Sequence, residues 1–174
     1  MKIITKGQQM VSANDLTSKY GESTVRFVLY SMGSAGVYTY VWLFERYKGF
    51  NKMIGKELIS RNFLLTMILV YGASMIIEPS FSAHPSSVAL LQMLDLLSGF
   101  VKFAAWIMLL ICAFRVRTIL RGYFLSHSHI DLSINPVLVV LFNIIYINYC
   151  LNNLEAKVEK AQAKKQVSQR DQED

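Results

Sequence analysis

The sequence predicts an all-α, polytopic helical membrane protein, and three observations lead there. Hydrophobic residues fill 53% of the 174 positions and charged residues only 17%, against a usual quarter. Mean hydropathy is positive, at +0.33. The apolar residues gather in four blocks, three of which run sixteen or more residues without an ionisable side chain, longer than typical core helices of a small soluble fold. A disordered chain is excluded, and the length allows one membrane domain over residues 26–154 between a polar arm, 1–25, and a basic, polar helical tail, 155–174. The arm has no apolar central region of the signal-peptide kind, so insertion is expected to use an internal segment.

The first block, 27–44, lies between Arg26 and Glu45 and carries Ser31, Gly33, Ser34 and Gly36 at its centre, where they weaken a helix. A break there leaves two halves too short to cross, whereas the alternative is a full span whose small residues admit a close neighbour. The second block, 62–77, lies between Arg61 and Glu78 and reads as a short span. The segment 78–87, with Pro79, Pro85 and four serines, predicts a tight extended connection. The third block, about 88–114, is interrupted by Asp95 and Lys102, and Arg115, Arg117 and Arg121 are assigned to the loop after it. The fourth, 132–154, opens with Asn135-Pro136 and holds Asn143 and Asn148 but no glycine break.

The distribution of positive charge decides topology. Four Lys or Arg, Lys2, Lys6, Lys19 and Arg26, precede the first block, five follow it, none stands in the Pro/Ser segment, three follow the third block and five lie in the tail. Four complete crossings divide these nine against eight, which orients nothing. If only blocks two and three cross, and blocks one and four leave by the face they came from, the division is seventeen against none. The second arrangement is therefore expected, a two-span hairpin flanked by two re-entrant or interfacial segments, with four full transmembrane helices as the alternative. Backbone freed inside lipid needs protein partners, so a homo-oligomer or a partner membrane protein is implied.

The stretch Ser34-Ala35-Gly36-Val37-Tyr38-Thr39-Tyr40-Val41-Trp42-Leu43-Phe44 resembles a bacterial domain-of-unknown-function family of small helical inner-membrane proteins. In that family the first segment ends in Ser/Thr-x-Gly-Ile/Val-Tyr followed by Tyr-Trp, with an aromatic where Val41 stands here. The stretch from Asn135-Pro136 through Ile145-Tyr146 to Asn152-Asn153-Leu154 is similar to the family's closing segment. The resemblance implies membrane placement and brings no assigned activity.

Lys102 is the most unusual single residue, because an ammonium near the centre of a span costs roughly 2.5–3.5 kcal/mol. Asp95, about 10 Å earlier along the helix axis, and Glu78 are its nearest counter-charges in sequence terms, and the three make a candidate intramembrane polar site. A snorkelling Lys102 is the plainer reading. Tyr38, Tyr40, Trp42, Phe44, Tyr47 and Phe50 read as an interfacial belt, and Trp42, Arg46, Lys48, Lys52 and Lys56 as candidate contacts for anionic headgroups. His127, His129 and Asp131 alternate, but two histidines in a loop do not make a metal site. Asn143 and Asn148 are expected to glue helices together. Leu151, Leu154, Val158 and Ala161 recur at helical spacing and offer a narrow strip for docking.

No phosphate loop, HExxH or kinase-like set occurs, and nothing in the basic excess of +6 is organised for nucleic acid. The expectation is a non-enzymatic accessory or scaffold subunit in the bacterial inner membrane, without cofactor, in contact with membrane lipids and with both termini cytoplasmic. The rival expectation is a subunit of a small homo-oligomeric channel or transporter.

Overall fold

The computed structural model describes residues 13–82, 88–128 and 130–170. Among these the chain is all-helical, with no strand. The helices are α1 (Ala13–Tyr20), α2 (Thr24–Gly33), α3 (Val37–Ile54), α4 (Arg61–Ser82), α5 (Val88–Ser128), α6 (Pro136–Asn152) and α7 (Leu154–Arg170).

Part of the polar arm is not free. α1 carries Asp15 in its first turn and Lys19 in its last, each suited to the helix dipole there. Leu16 and Tyr20, one turn apart, are buried in the core. Thr17 Oγ1 donates to the Leu151 carbonyl at 2.9 Å, which fastens α1 to the end of α6.

The first apolar block breaks where its small residues stand. Ala35 (φ 49°) and Gly36 (φ 90°) take left-handed backbone between α2 and α3, a conformation that glycine supplies without steric cost. The chain then doubles back. Arg46 Nε donates to the Tyr20 carbonyl at 3.1 Å, although a straight helix over those 26 residues would hold them about 39 Å apart.

α4 and α5 form a long antiparallel hairpin against which α3 and α6 pack. Two expectations are corrected here. α4 runs through Glu78 and Pro79 to Ser82, so the extended connection begins later than expected, and 83–87 lie outside the described residues. α5 does not stop at Phe114 but continues for 41 residues, about 61 Å. Arg115, Arg117 and Arg121 are therefore helical residues, on a stretch whose other face buries Val116, Ile119, Leu120, Tyr123 and Phe124. Amphipathic periodicity and the lack of proline carry the helix past the end of its uniformly apolar part.

α6 also doubles back. Asn135 caps its start by accepting from Val137 N at 2.9 Å, with Pro136 at the first helical position. At Asn143 the backbone leaves the helical region (φ 51°, ψ −130°), so a break exists without any glycine. Asn135 N then meets the Tyr146 hydroxyl at 3.4 Å, and Lys157 Nζ donates to the Ser133 carbonyl at 3.4 Å. The strip Leu151, Leu154, Val158 does not project as a free docking face. Leu151 and Leu154 are buried, Val158 packs on the core, and α7 lies against α1.

The core sits at the end of the molecule where α1, α3, the second half of α5 and α6 meet. The other end is apolar and open. Leu69, Ile76, Met93, Leu96, Phe100 and Phe103 on α4 and α5 are each more than 60% exposed, as are Met32 near the α2–α3 turn and Leu141 beside the α6 break. One described helix, Gln92–His127, is long and apolar enough to cross a membrane, and only 28% of its most apolar window is buried, unlike a soluble core helix. Arg61–Ile76 is a shorter apolar helix, and the pair Pro136–Asn152 and Leu154–Ala161 passes the same test together across a 72° bend.

Candidate functional site

Two polar clusters organise the two hairpins. The first is a knot at the packed end. Asn148 on α6, fully buried, accepts from Glu22 N at 3.0 Å and donates to Glu22 O at 2.7 Å, so one side-chain amide satisfies both backbone groups of the residue between α1 and α2. Asn152, one turn on, also donates to Glu22 O and reaches Thr24 Oγ1 at 2.9 Å. The Glu22 carboxylate accepts from the Tyr38 hydroxyl and lies 3.9 Å from Arg46. Arg46 lies with its guanidinium 4.7 Å from the Trp42 ring centroid.

The second cluster lies at the tip of the α2–α3 hairpin. Tyr71, on α4, donates its hydroxyl to the Ala35 carbonyl, and its ring stacks on Tyr40 of α3 with centroids 4.5 Å apart. A Cβ on Gly36 would approach the Tyr71 oxygen to 2.9 Å, so the turn and the tyrosine fit each other closely. Lys102, half-buried on α5, is near enough to act electrostatically on Tyr71. Chemically this is one hydroxyl donor on a turn carbonyl, its ring held by stacking on Tyr40; it holds backbone in place.

Of the residues expected to form a polar site, Lys102 is half-buried on α5, Asp95 is exposed two turns earlier on the same helix, and the Glu78 side chain lies outside the described residues. The headgroup set divides. Lys48, Lys52 and Lys56 are exposed, but Trp42 is fully buried and edge-on to Phe27 at 5.5 Å, while Arg46 is turned into the knot. The belt of aromatics is largely core, since Tyr40, Trp42, Tyr47 and Phe50 are buried. Their period matches a helix with packed neighbours on several sides, which hydropathy alone does not separate from an interface.

Asn148 is an interhelical tie, as expected, but Asn143 is not: its amide is buried without a partner among the described residues and its backbone makes the break. His127 stacks on Tyr123 at 4.4 Å, whereas Asp131 forms a two-oxygen ion pair with Arg121 at 2.7 Å and 2.9 Å; His129 lies outside the described residues. Among the described residues no three His, Cys, Asp or Glu side chains converge in a way that could hold a metal ion. Tyr71 was invisible to sequence reasoning, because a lone tyrosine in an apolar span carries no signal until its partner is in place. Compared with family models, curated proteins and solved structures, the chain has no match.

Proposed function

We propose that this chain is an integral protein of a bacterial inner membrane, a non-enzymatic accessory or scaffold subunit of an oligomeric assembly. In this reading α4 and α5 cross the bilayer, the α2–α3 and α6 hairpins dip in and return by the same face, and both termini are cytoplasmic. The family that residues 34–44 and 135–154 resemble is the proposed relationship.

The observation that carries the reading is the return of the first block to its start, Glu22 lying 3.9 Å from Arg46 across 24 residues. It supports the arrangement in which seventeen cations share one side. Depth agrees. Tyr71, which meets the hairpin tip, is ten residues into α4 from Arg61, about 15 Å of helix and half of the roughly 30 Å hydrocarbon core. The exposed apolar side chains of the α4–α5 outer half and of both hairpin tips are what lipid would cover.

Purification in mild detergent tests the role. A foreign membrane protein co-isolated at fixed stoichiometry supports the accessory reading. A homo-oligomer with Lys102 on a watery central path supports the second reading, a channel or transporter subunit, which the half-buried position of Lys102 beside Tyr71 favours. Unchanged transport by Lys102→Met in reconstituted vesicles would remove that reading's best residue.

A further inference from the structure

We infer that a groove on the outer face of α5 seats an acyl chain of an anionic phospholipid, whose phosphate is taken by Arg115. The inference rests on the membrane reading above. Ile107, Ile111, Phe114 and Thr118 follow one another at helical spacing along a single stripe of α5, and Leu58, from the loop before α4, closes one side of a groove of about 360 Å³. From Ile107 to Thr118 the helix rises about 16 Å, close to the depth of one leaflet's hydrocarbon. Phe114 and Leu58 also pack against the core, but Ile111 and Thr118 on the same stripe are exposed, on the side of α5 away from the core-facing Leu109, Cys112, Ala113 and Val116, and leave the groove open outward.

Charge at one end of the groove identifies the occupant. Arg115 Nη1 donates to the Leu58 carbonyl at 2.9 Å, and its guanidinium lies 5.3 Å from the Phe63 ring centroid. These two contacts fix the planar fork, while Nε and Nη2 engage no acceptor among the described residues. A planar fork with two remaining donors matches phosphate oxygens. Lys56 and Arg61, exposed on either side of Leu58 in sequence, add positive potential, against the one exposed acid of that loop, Glu57. A zwitterionic lipid would fill the apolar part equally well; only an anionic one answers the surplus of cations.

Trp106 provides the readout, because it precedes Ile107 directly and is 40% exposed, whereas Trp42, the second tryptophan, is fully buried. The full chain is reconstituted in vesicles containing phosphatidylglycerol or phosphatidylcholine brominated midway along the acyl chain, and quenching is measured after flotation. The expected result is a relative affinity about fivefold higher for phosphatidylglycerol, the scale of one basic residue acting at an anionic surface. Arg115→Gln should bring the two lipids to near equality. Lys52→Gln, which removes the same charge outside the groove, should keep most of the preference, and Ile111→Phe should weaken it with the charge in place. If Arg115→Gln does not fold, Arg115→Lys and Ile111→Phe decide the matter, the former by losing the fork but not the charge. Equal quenching by both lipids in the unaltered protein overturns the inference, as does equal loss in Arg115→Gln and Lys52→Gln. Exclusion of both lipids, with the groove cross-linked to a second copy, overturns it too. Failure to float with vesicles sinks the membrane reading as well, whereas flotation without lipid preference sinks this inference alone.

Discussion

The Tyr71 hydroxyl of α4 donates to the carbonyl of Ala35, the left-handed residue at the tip of the α2–α3 hairpin. That single bond ties the broken first block to the long hairpin at the point where its backbone is least able to satisfy itself.

Tyr71→Phe is therefore expected to destabilise the protein by about 1–2 kcal/mol, the cost of leaving a turn carbonyl without its donor while the ring stays stacked on Tyr40. Thermal unfolding in detergent measures the total, and hydrogen exchange at residues 34–37 localises it. Exchange unchanged in those residues would mean that the hydroxyl is not what holds the tip.

Opposite signs are expected for the two asparagines of α6. Asn148→Leu should cost about 2–3 kcal/mol, because it strands the N–H of Glu22 and leaves the Glu22 carbonyl with the Asn152 amide as its remaining donor. Asn143→Gly should stabilise by about 1 kcal/mol. It removes a buried amide without partners and relieves backbone strain worth about 1–3 kcal/mol, against about 0.5–1 kcal/mol of added chain entropy in the unfolded state. Denaturation midpoints of the two variants compared with the parent check the pair, and a destabilised Asn143→Gly would show that the amide has a partner after all.

Gly21→Ala is expected to loosen the knot. The added methyl would lie 2.6 Å from the Thr17 carbonyl oxygen and 2.6 Å from Asn152 Oδ1, and backbone cannot step aside as a side-chain tip can. A loss of about 1–3 kcal/mol follows, readable as a lower melting temperature. Wild-type stability in this variant would contradict the tight α1–α2 corner.

Topology has a direct readout. Cys112 and Cys150 are fully buried, so single exposed cysteines stand out against them. Lys52→Cys, Leu125→Cys and Ala163→Cys, all at exposed positions, should label from the same side of sealed vesicles. Four complete crossings would instead put residues 52 and 125 opposite residue 163.

Glycine and serine chemistry made the first break legible, since Gly33 to Gly36 weaken a helix wherever they stand. The break at Asn143 was not legible. Asparagine in an apolar run is compatible with helix, and only the packing of α6 against α5 and the α1–α2 corner selects the folded-back form. Trp42 and its aromatic neighbours were placed at an interface for a related reason: their hydropathy is the same whether lipid or protein covers them, and the structure covers Trp42 with Phe27 and Arg46.

Composition and spacing by themselves determined that the chain is helical, where its apolar blocks lie, and that its cations avoid the segment between Pro79 and Pro85. The tertiary structure alone decided which blocks double back, that α5 carries Arg115, Arg117 and Arg121 on one continuous helix, and that Tyr71 meets the turn at Ala35. The physical reason is that helix formation and hydropathy are local, set by neighbours three or four residues away. The partner of a buried polar group, such as Asn148 for Glu22 across 126 residues, exists only once the chain has packed.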